Sequence, residues 1–272
     1  MIYRVFHPAP ALSHIVDYYW YVCAEASEIP DEQHFYTPLI QTLVFTFSKQ
    51  DEHHALPNNT FRLNQPAYLF GQGTGPRVVT SNGVDYLGVK FKPLGIAKVT
   101  GINMEHFADQ IICAEDIWCN ELDLLWDEMQ SMPSIDGTIN VLEKFLIAKH
   151  LKATISPKID CAQNALALIN QTQGNIDIKT LQEQTNTLRK TLERAFVHNL
   201  GVHPKLYARI VRFNAAKDRL DRIGREESLT AIALDCGFYD SSHFTSEFKI
   251  FSGFTPLGYL KKIDKDFILT DR

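Results

Sequence analysis

The sequence predicts an α+β protein: a β-rich N-terminal domain with flanking helices, then an all-α domain of two helix-turn-helix units joined by a long helix. Three observations favour this organisation. Residues 1–92 contain runs rich in aromatic and β-branched side chains, and helical periodicity follows from residue 94. A motif in the last third recurs at a fixed offset, which is typical of duplicated units. The length of 272 residues fits two domains.

Strands are predicted in the N-terminal half because apolar side chains recur there with a period of two. Residues 18–23 are mostly aromatic, and alternation is clear at 43–47 and 87–91. Residues 94–152 look helical, and 139–147 have the clearest helical period. Residues 153–158, which include Pro157, form the predicted linker between an N-terminal domain at 1–152 and a C-terminal domain at 159–272.

The N-terminal half contains no strong catalytic or metal-binding motif. The glycine-rich segment 71–76 lacks the following Lys-Ser/Thr and helix of a phosphate loop. His53 and His54, next to Asp51 and Glu52, are metal-ligating residue types, but a polar segment between strands favours a solvated turn. The five cysteines have neither zinc spacing nor a disulfide framework. We therefore expect no cofactor, no metal and no enzymatic activity.

The segment 228–249 predicts two short helices separated by a tight turn. Ser228 and Asp240 are suitable N-caps for the first and second helix. Gly237 supplies the positive φ that the turn needs. Phe244 and Phe248 lie one turn apart on the predicted buried face of the second helix. This arrangement is typical of proteins that place a helix in the major groove of DNA.

The same pattern occurs 52 residues upstream, which predicts a second unit. The two sets of matching residues are Leu192, Phe196, Gly201, Pro204 and Tyr207, and then Phe244, Phe248, Gly253, Pro256 and Tyr259. The predicted helix-turn-helix units span about 177–200 and 228–250. One helix from Pro204 to about Ile223, ended by Gly224, joins them.

Residues from about 158 to 262 resemble the DNA-binding domain of the AraC/XylS family of transcriptional regulators. The resemblance rests on IALDCGFYDSSHFTSEFK at 232–249 with GFTPLGYLKK at 253–262, and more loosely on LQEQTNTLRKTLERAFVHNLGVHPKLYARI at 181–210. It implies that both recognition helices contact double-stranded DNA. The chain departs from the family at Leu188, where Ser is frequent, and at Ser246, where Arg is frequent.

The segment YLGVKFKPLGIAKVTGI at 86–102 resembles N-terminal regions of some AraC-type regulators. This resemblance implies a sensory or dimerisation domain. The change in charge and composition after residue 155 makes residues 138–152 the leading predicted dimer surface. A small-molecule effector, RNA polymerase and a second copy of the chain are therefore further partners to consider.

Helical geometry selects the candidate DNA contacts. With Leu192 and Phe196 inward, the outward half of the first recognition helix contains Lys190, Glu193, Arg194 and Val197, whereas Leu188 and Ala195 fall near the buried side. Arginine and lysine can pair with guanine, and glutamate can accept from cytosine. Arg189, at the edge, is favoured as a phosphate contact. The second helix contributes Ser241, Ser242, His243, Thr245, Ser246 and Lys249, with His243 pointing sideways.

The charge of the chain is distributed unevenly. The whole protein has a net charge of −5, but residues 1–155 contain 10 Lys/Arg and 18 Asp/Glu, a net charge of −8. Residues 179–225 contain 11 Lys/Arg and 4 Asp/Glu, a net charge of +7. Basic charge concentrated on one motif is typical of nucleic-acid binding.

Two other functions compete with a sequence-specific transcriptional regulator. A protein-interaction module with degenerate helix-turn-helix units is compatible with Ser246 and the acidic N-terminal half. An enzyme fused to a DNA-binding module, such as a repair protein for alkylated DNA, would need clustered cysteines, and the scattered cysteines oppose it. The N-terminus has no signal-peptide pattern and no run of about 18 apolar residues occurs, so we expect a cytoplasmic protein without a membrane span.

Overall fold

The computed structural model describes residues 1–37, 39, 41–47, 52–56, 59–223 and 227–263. Ten strands occur in the described part of the N-terminal half. They are β1 Ile2–Phe6, β2 Val16–Ala24, β3 Gln33–Phe35, β4 Gln41–Thr46, β5 Glu52–Leu56, β6 Asn59–Leu63, β7 Ala67–Phe70, β8 Arg77–Ser81, β9 Val84–Phe91 and β10 Ile111–Cys113. Single 3-10 turns lie at Pro10–Leu12, Ala26–Glu28 and Met104–His106.

The strands form two antiparallel sheets. The larger sheet has the order β1-β2-β9-β4-β7-β10, and the smaller has the order β3-β8-β5-β6. Alternation along β4 and β9 buries Leu43, Phe45, Leu87 and Val89 on one face of the larger sheet. Gly88 of β9 is needed where the sheet passes Trp20, because a Cβ at this position would lie 2.0 Å from the indole ring.

Helices cover the face of the larger sheet that carries the main N-terminal core. These helices are α1 Gly95–Thr100, α2 Glu115–Trp118, α3 Asn120–Ser131 and α4 Ile135–Lys152. The expectation that residues 94–152 are helical is therefore right for most of the segment but wrong at β10. Ile111 and Ile112 are β-branched, and β10 pairs with β7 as an additional strand at the edge of the sheet.

The interpretation of His53 and His54 as part of a solvated turn is wrong. Both residues lie in β5, between β8 and β6. The His54 side chain is almost completely buried and hydrogen-bonds the buried carboxylate of Glu52, which also accepts a hydrogen bond from the Tyr86 hydroxyl. Buried and exposed side chains alternate along β5. The buried side chains of Glu52 and His54 contact each other, and Glu52 also contacts Tyr86 of the larger sheet. Asp51 lies outside the described residues.

Burial of His54 should make stability depend on pH. Desolvation lowers the pKa of His54, and the hydrogen bond with Glu52 opposes this shift only in part. The unfolded chain takes up a proton on this residue as the pH falls through about 6.5, whereas the folded chain resists it. The free energy of unfolding should therefore fall below about pH 6.5. Urea denaturation across this range should show a shallower pH dependence for His54→Gln than for wild type.

The neighbouring histidine provides the control for this measurement. His53 lies in the same strand but is exposed, so His53→Gln should keep the wild-type pH dependence. A wild-type pH dependence in His54→Gln would contradict the assignment of this effect to the buried ring.

The C-terminal half is helical. Its helices are α5 Ile159–Gln171, α6 Ile178–Thr185, α7 Arg189–Leu200, α8 Pro204–Ile223, α9 Leu229–Asp235, α10 Ser241–Ser252 and α11 Pro256–Ile263. Residues 153–158, all of them described, join α4 to α5 without helix or strand. The predicted end of α8 at Gly224 lies outside the described residues.

The duplication predicted at an offset of 52 residues is confirmed. Helices α7 and α10 start and end at matching positions, and each ends at a left-handed glycine, Gly201 with φ 79° and Gly253 with φ 80°. A helix that begins with proline follows each glycine. The first unit packs around Leu192, Phe196 and Tyr207, and the second around their counterparts in a separate hydrophobic cluster.

The segment that directly follows β3 completes the core of the second unit. Tyr36, only 5% exposed, packs its ring edge-on against Tyr259 with a centroid distance of 4.9 Å. The Thr37 backbone N–H and hydroxyl both donate to the Phe251 carbonyl, at 3.1 and 2.7 Å. Asn214 of α8 donates to the Thr37 carbonyl at 3.1 Å. Two halves of the chain that are far apart in sequence therefore share one buried cluster.

Candidate nucleic-acid interface

The first helix-turn-helix unit consists of α6 and α7. Asp177 caps α6 by accepting a hydrogen bond from the Thr180 N–H at 2.8 Å. Asn186, in the left-handed conformation with φ 47°, ends α6 and starts the turn. Leu188 is the N-cap of α7 and has no side-chain capping hydrogen bond. The recognition helix of this unit therefore starts without the stabilisation that a Ser or Asp cap provides.

The second unit consists of α9 and α10, and its local signals agree with the sequence. The Ser228 hydroxyl accepts from the Ala231 N–H at 3.1 Å, and the Asp240 carboxylate accepts from the His243 N–H at 2.7 Å. Gly237 has φ 78°, as the tight turn requires. Both predicted caps and the predicted turn glycine are confirmed.

The residues that were predicted to face inward on α7 and α10 are buried. Leu192 and Phe196 are completely buried in the first unit, as are Phe244 and Phe248, to within 1%, in the second. On the other side, the exposed candidates are Arg189, Lys190, Arg194, Ser242, His243, Ser246 and Lys249. The half-buried candidates are Glu193, Ser241 and Thr245. Each recognition helix thus presents its candidate residues on one side.

Two cations of α7 remain available to an external ligand. The Arg189 Nε lies 2.8 Å from a carboxylate oxygen of Glu193, one helical turn away. This ion pair occupies Glu193 and partly neutralises Arg189. Within the described ranges, no carboxylate lies within hydrogen-bonding or ion-pair distance of Lys190 or Arg194. These two side chains therefore carry the free positive charge of the α7 surface.

The polar candidates of α10 divide into two groups. Ser241, Thr245 and His243 are engaged in local hydrogen bonds. The Ser241 hydroxyl is 3.0 Å from that of Thr230, the Thr245 hydroxyl donates to the Ser241 carbonyl, and the His243 Nδ1 accepts from the Tyr239 N–H. The second group contains the exposed side chains of Ser242, Ser246 and Lys249. Lys249 is its only charged member.

The prediction that Leu188 lies near the buried side is wrong, because its side chain is 79% exposed. The N-cap residue precedes the first helical turn, so the helical phase does not extend to it. Tyr239, 87% exposed, lies one residue before the N-cap of α10. Sequence analysis missed both residues as surface candidates. Their positions next to the N-terminus of a recognition helix were the available signal.

An ion pair holds the second recognition helix on α8. The Arg209 guanidinium makes two hydrogen bonds to the Glu247 carboxylate, at 2.7 and 2.8 Å. These bonds raise the pKa of Arg209. Glu247 is one residue from Ser246 in α10, so the pair helps to fix the orientation of that helix.

The described part of the chain gives no indication of a metal centre in this region or elsewhere, since no group of three His, Cys, Asp or Glu side chains is placed to hold an ion. No helix among the described residues is long and apolar enough to cross a membrane.

Comparison with known proteins identifies the C-terminal half. The model of a helix-turn-helix domain matches residues 181–262, and that of a domain of unknown function, DUF6597, matches residues 4–113. A stretch of 91 residues is 32% identical to the HTH-type transcriptional activator RhaS of Pectobacterium atrosepticum. The aligned stretch covers 32% of each of the two chains. The chain spans about a third of the length of the curated relatives it matches.

Two solved structures are also similar. ToxT from Vibrio cholerae aligns with 97% of this chain and 98% of its own, with a TM-score of 0.48 and 15% identity. An AraC-type regulator from Chromobacterium violaceum aligns with 40% of this chain and 94% of its own, with a TM-score of 0.35 and 25% identity.

The fold and the paired recognition helices define a double helix-turn-helix domain. This domain is similar to the helix-turn-helix family model at 181–262 and to part of HTH-type transcriptional activators.

Proposed function

We propose that the protein is a sequence-specific DNA-binding transcriptional regulator, in which α7 and α10 each enter a major groove. The main observation in support of this proposal is the duplication of the helix-turn-helix unit. Their recognition helices match residue for residue in bounds, in buried face and in the glycine that ends them. Two equivalent units, each with an outward-facing recognition helix, are suited to duplex DNA, because the major groove recurs at each helical turn of the duplex.

The length of α8 supports binding to successive grooves on one side of the duplex. This helix contains 20 residues and joins the two units. Twenty helical residues span about 30 Å, which is close to the roughly 34 Å between successive major-groove faces. The segment 179–225, with its net charge of +7, includes α7 and α8 and would supply attraction to the phosphates.

The contacts give the proposed roles of individual residues. Arg194 and Lys190 are the leading base contacts, because they are exposed and unpaired among described residues and can bond guanine. Glu193 can reach a cytosine only if its ion pair with Arg189 opens. In α10, Lys249 is the leading phosphate contact. The neutral hydroxyls of Ser242 and Ser246 would position the helix rather than supply strong charge-assisted bonds.

Binding of the full-length protein to duplex fragments over a salt series tests the proposal. If about five phosphates are neutralised, a plot of log K against log salt should have a slope of roughly −4 to −5. Selection of duplexes from a random library would then give the operator. A flat salt response, or no binding at about 50 mM salt, would reject the DNA-binding function and favour a protein-interaction module.

Ser246→Arg should tighten DNA binding by about 1 kcal/mol and steepen the salt slope by about one unit, because the new guanidinium can meet a phosphate. The position is exposed in α10 and corresponds to Arg194 in α7. Wild type and variant should be measured on the same selected operator. Ser131→Arg adds the same charge at an exposed site in α3 and should change neither quantity. An unchanged affinity and slope in Ser246→Arg would mean that residue 246 does not face the DNA.

For the N-terminal half, we propose a sensor or dimerisation domain at 1–152, joined by 153–158 to the DNA-binding domain at 159–272. The acidic charge of the first half and the connection without helix or strand support this division. Residues 138–152, within α4, remain the proposed dimer surface, and RNA polymerase remains a proposed partner. Since the proposed ligand is chromosomal DNA, we place the activity in the cytoplasm.

A further inference from the structure

Two loops of the N-terminal half reach the ends of both recognition helices. They are residues 71–76, between β7 and β8, and residues 104–110, between α1 and β10. We call these two segments together the brace. The first segment contacts Gly253 at the end of α10, and the second contacts Gly201 at the end of α7. These glycines are equivalent residues of the duplicated units, so the brace meets the same point of each unit.

The contact between the brace and α7 is close. A Cβ added at Gly201 would lie 2.6 Å from the Met104 carbonyl oxygen and 3.3 Å from the Ala108 nitrogen. Met104 is completely buried, and Ala108 packs against the hydrophobic cluster of the first unit. Packing this tight leaves the end of α7 little room to shift against the brace.

The contact with α10 combines packing and hydrogen bonds. A Cβ added at Gly253 would lie 3.6 Å from the Pro76 ring, which is van der Waals distance. Strand β8 starts directly after Pro76 and pairs with β3, and Thr37 lies two residues after the end of β3. Thr37 donates twice to the Phe251 carbonyl, from its N–H at 3.1 Å and from its hydroxyl at 2.7 Å. Carbonyls in the last turn of a helix have no partner within the helix, so these bonds hold the end of α10.

Hydrogen bonds join the two loops of the brace and extend the ladder between β7 and β10. The Gly71 N–H donates to the Gln110 carbonyl and the Asp109 N–H donates to the Gln72 carbonyl, each at 3.1 Å. The Asp109 carboxylate accepts from the Thr74 N–H at 2.6 Å and also from the Thr74 hydroxyl. Asp109 has φ 54°, a left-handed conformation that is uncommon for residues other than glycine. Asp109 therefore links the loop that contacts α7 to the loop that contacts α10.

Within the DNA-binding half, α8 is the main connection between the two units. Among the described residues of this half, α8 alone contributes buried side chains to both hydrophobic clusters. The units also meet where the Asn175 side chain packs on Gly237. Long helices curve, so α8 with its 20 residues does not by itself fix the separation of α7 and α10. The brace, together with Leu39, which packs against both clusters, adds a second connection in parallel.

We propose that the brace fixes the separation of the two recognition helices and thereby sets the spacing between the two base elements that the protein accepts. Asp109 and Thr37 are its positioning residues. The brace holds the C-terminal ends of α7 and α10, whereas the N-terminal residues of a recognition helix contact base edges, so it leaves the DNA-facing side open. The role in operator recognition rests on the proposed DNA-binding function, whereas the hold on the two helices does not.

The geometry of the duplex explains why such a hold gives specificity. One additional base pair moves the second base element by about 3.4 Å along the duplex and rotates it by about 35°. Two helices held at a fixed separation cannot follow this change, and one of them loses its base contacts.

A distance measurement between the recognition helices tests the hold without DNA. Spin labels on ketone-bearing residues at positions 190 and 242, which are exposed and equivalent in the two units, leave the native cysteines unmodified. Asp109→Gly removes the carboxylate, and glycine adopts the positive φ without strain. Double electron–electron resonance on the full-length protein should give a distance distribution at least about 1.5-fold broader in Asp109→Gly than in wild type, because local contacts that limit motion are lost. An unchanged distribution would overturn the proposal.

Operators of altered spacing test the role in recognition. One base pair is inserted between the two base elements of a selected operator, outside both. Wild-type affinity should fall at least about tenfold, because one helix loses its base contacts. Asp109→Gly should lose less than about threefold, because its two helices can adjust to the new spacing. Equal spacing dependence in the two proteins would also overturn the proposal.

Three further variants assign the effect to the brace. Thr37→Val removes the hydroxyl donor to Phe251 but keeps the N–H donor, so its spacing dependence should lie between those of wild type and Asp109→Gly. Asp109→Asn keeps an acceptor for Thr74 and tolerates positive φ, so it should behave like wild type. Cys119→Gly is the matched control, because it places glycine at another positive φ of the N-terminal half, 47°, outside the brace. An effect of Cys119→Gly as large as that of Asp109→Gly would overturn the assignment to Asp109.

The two measurements distinguish this inference from the proposed function. A broader distance distribution in Asp109→Gly, with no DNA binding by wild type, would keep the hold on the two helices and reject the regulatory function. DNA binding with equal spacing dependence and equal distance distributions in the two proteins would do the reverse.

Discussion

Phe244→Ala should lower the free energy of unfolding by about 3–5 kcal/mol, which is the typical cost of emptying a fully buried phenylalanine site. Phe244 has no exposed surface and packs against Phe238 and Phe248, with centroid distances of 5.0 and 5.6 Å. The ring packs against the turn that follows α9 and belongs to the same buried cluster as Ile232 and Ala233 of α9, so its removal leaves a cavity in the core of the second unit. Urea denaturation followed by circular dichroism measures the change.

Tyr239→Ala is the matched control for Phe244→Ala. It removes an aromatic ring of similar size from the same unit, but that ring is 87% exposed. Its effect on the free energy of unfolding should remain within about 0.5 kcal/mol. Equal losses in the two variants, or a larger loss in Tyr239→Ala, would mean that the helical phase of α10 is wrong.

Most of the C-terminal fold could be predicted from the sequence because its signals are local. A cap such as Asp240, a turn glycine such as Gly237 and a phenylalanine pair one helical turn apart each act within a few residues. The duplication then supplied a second copy of each signal in an independent stretch of sequence. Helix bounds were therefore constrained twice.

The contacts between the halves could not be predicted in the same way. Tyr36 fills the cluster around Tyr259, more than 200 positions away, and nothing near Tyr36 in the sequence distinguishes this partner from any other apolar surface. His54 illustrates a related limit. Its polar neighbourhood in the sequence resembles a turn, and only the pairing of β5 between β8 and β6 brings it next to buried polar partners.

The outward side of the first recognition helix was predicted from the sequence, whereas its ion pair was missed. The outward side of α7 follows from 100° steps around the helix, and the structure agrees for Lys190 and Arg194. The Arg189–Glu193 pair has the spacing of four residues that favours an ion pair, so the sequence did contain this signal. The exposed Leu188 was missed because helical phase was extended to a residue that caps the helix rather than belonging to it.

Arg194→Ala should weaken binding to a selected operator by about 1–3 kcal/mol and relax the preference at one base position. Arg194 is exposed on the outward side of α7, and no described carboxylate competes for its guanidinium. Bidentate pairing with a guanine is specific to one base, whereas a phosphate contact would weaken binding to all sequences equally. Selection experiments with wild type and variant separate these two outcomes.

Lys92→Ala is the control for the loss of one positive charge, because Lys92 is exposed directly after β9 in the N-terminal half and outside the proposed dimer surface. It should leave operator affinity and base preference unchanged. The free energy of unfolding of Arg194→Ala should also match that of wild type within about 0.5 kcal/mol, since exposed side chains contribute little to stability. If Arg194→Ala instead lost stability and kept its affinity, α7 would present another face to the DNA. Lys190, four positions before Arg194, and Glu193, directly before it, would then have to be reassigned with it.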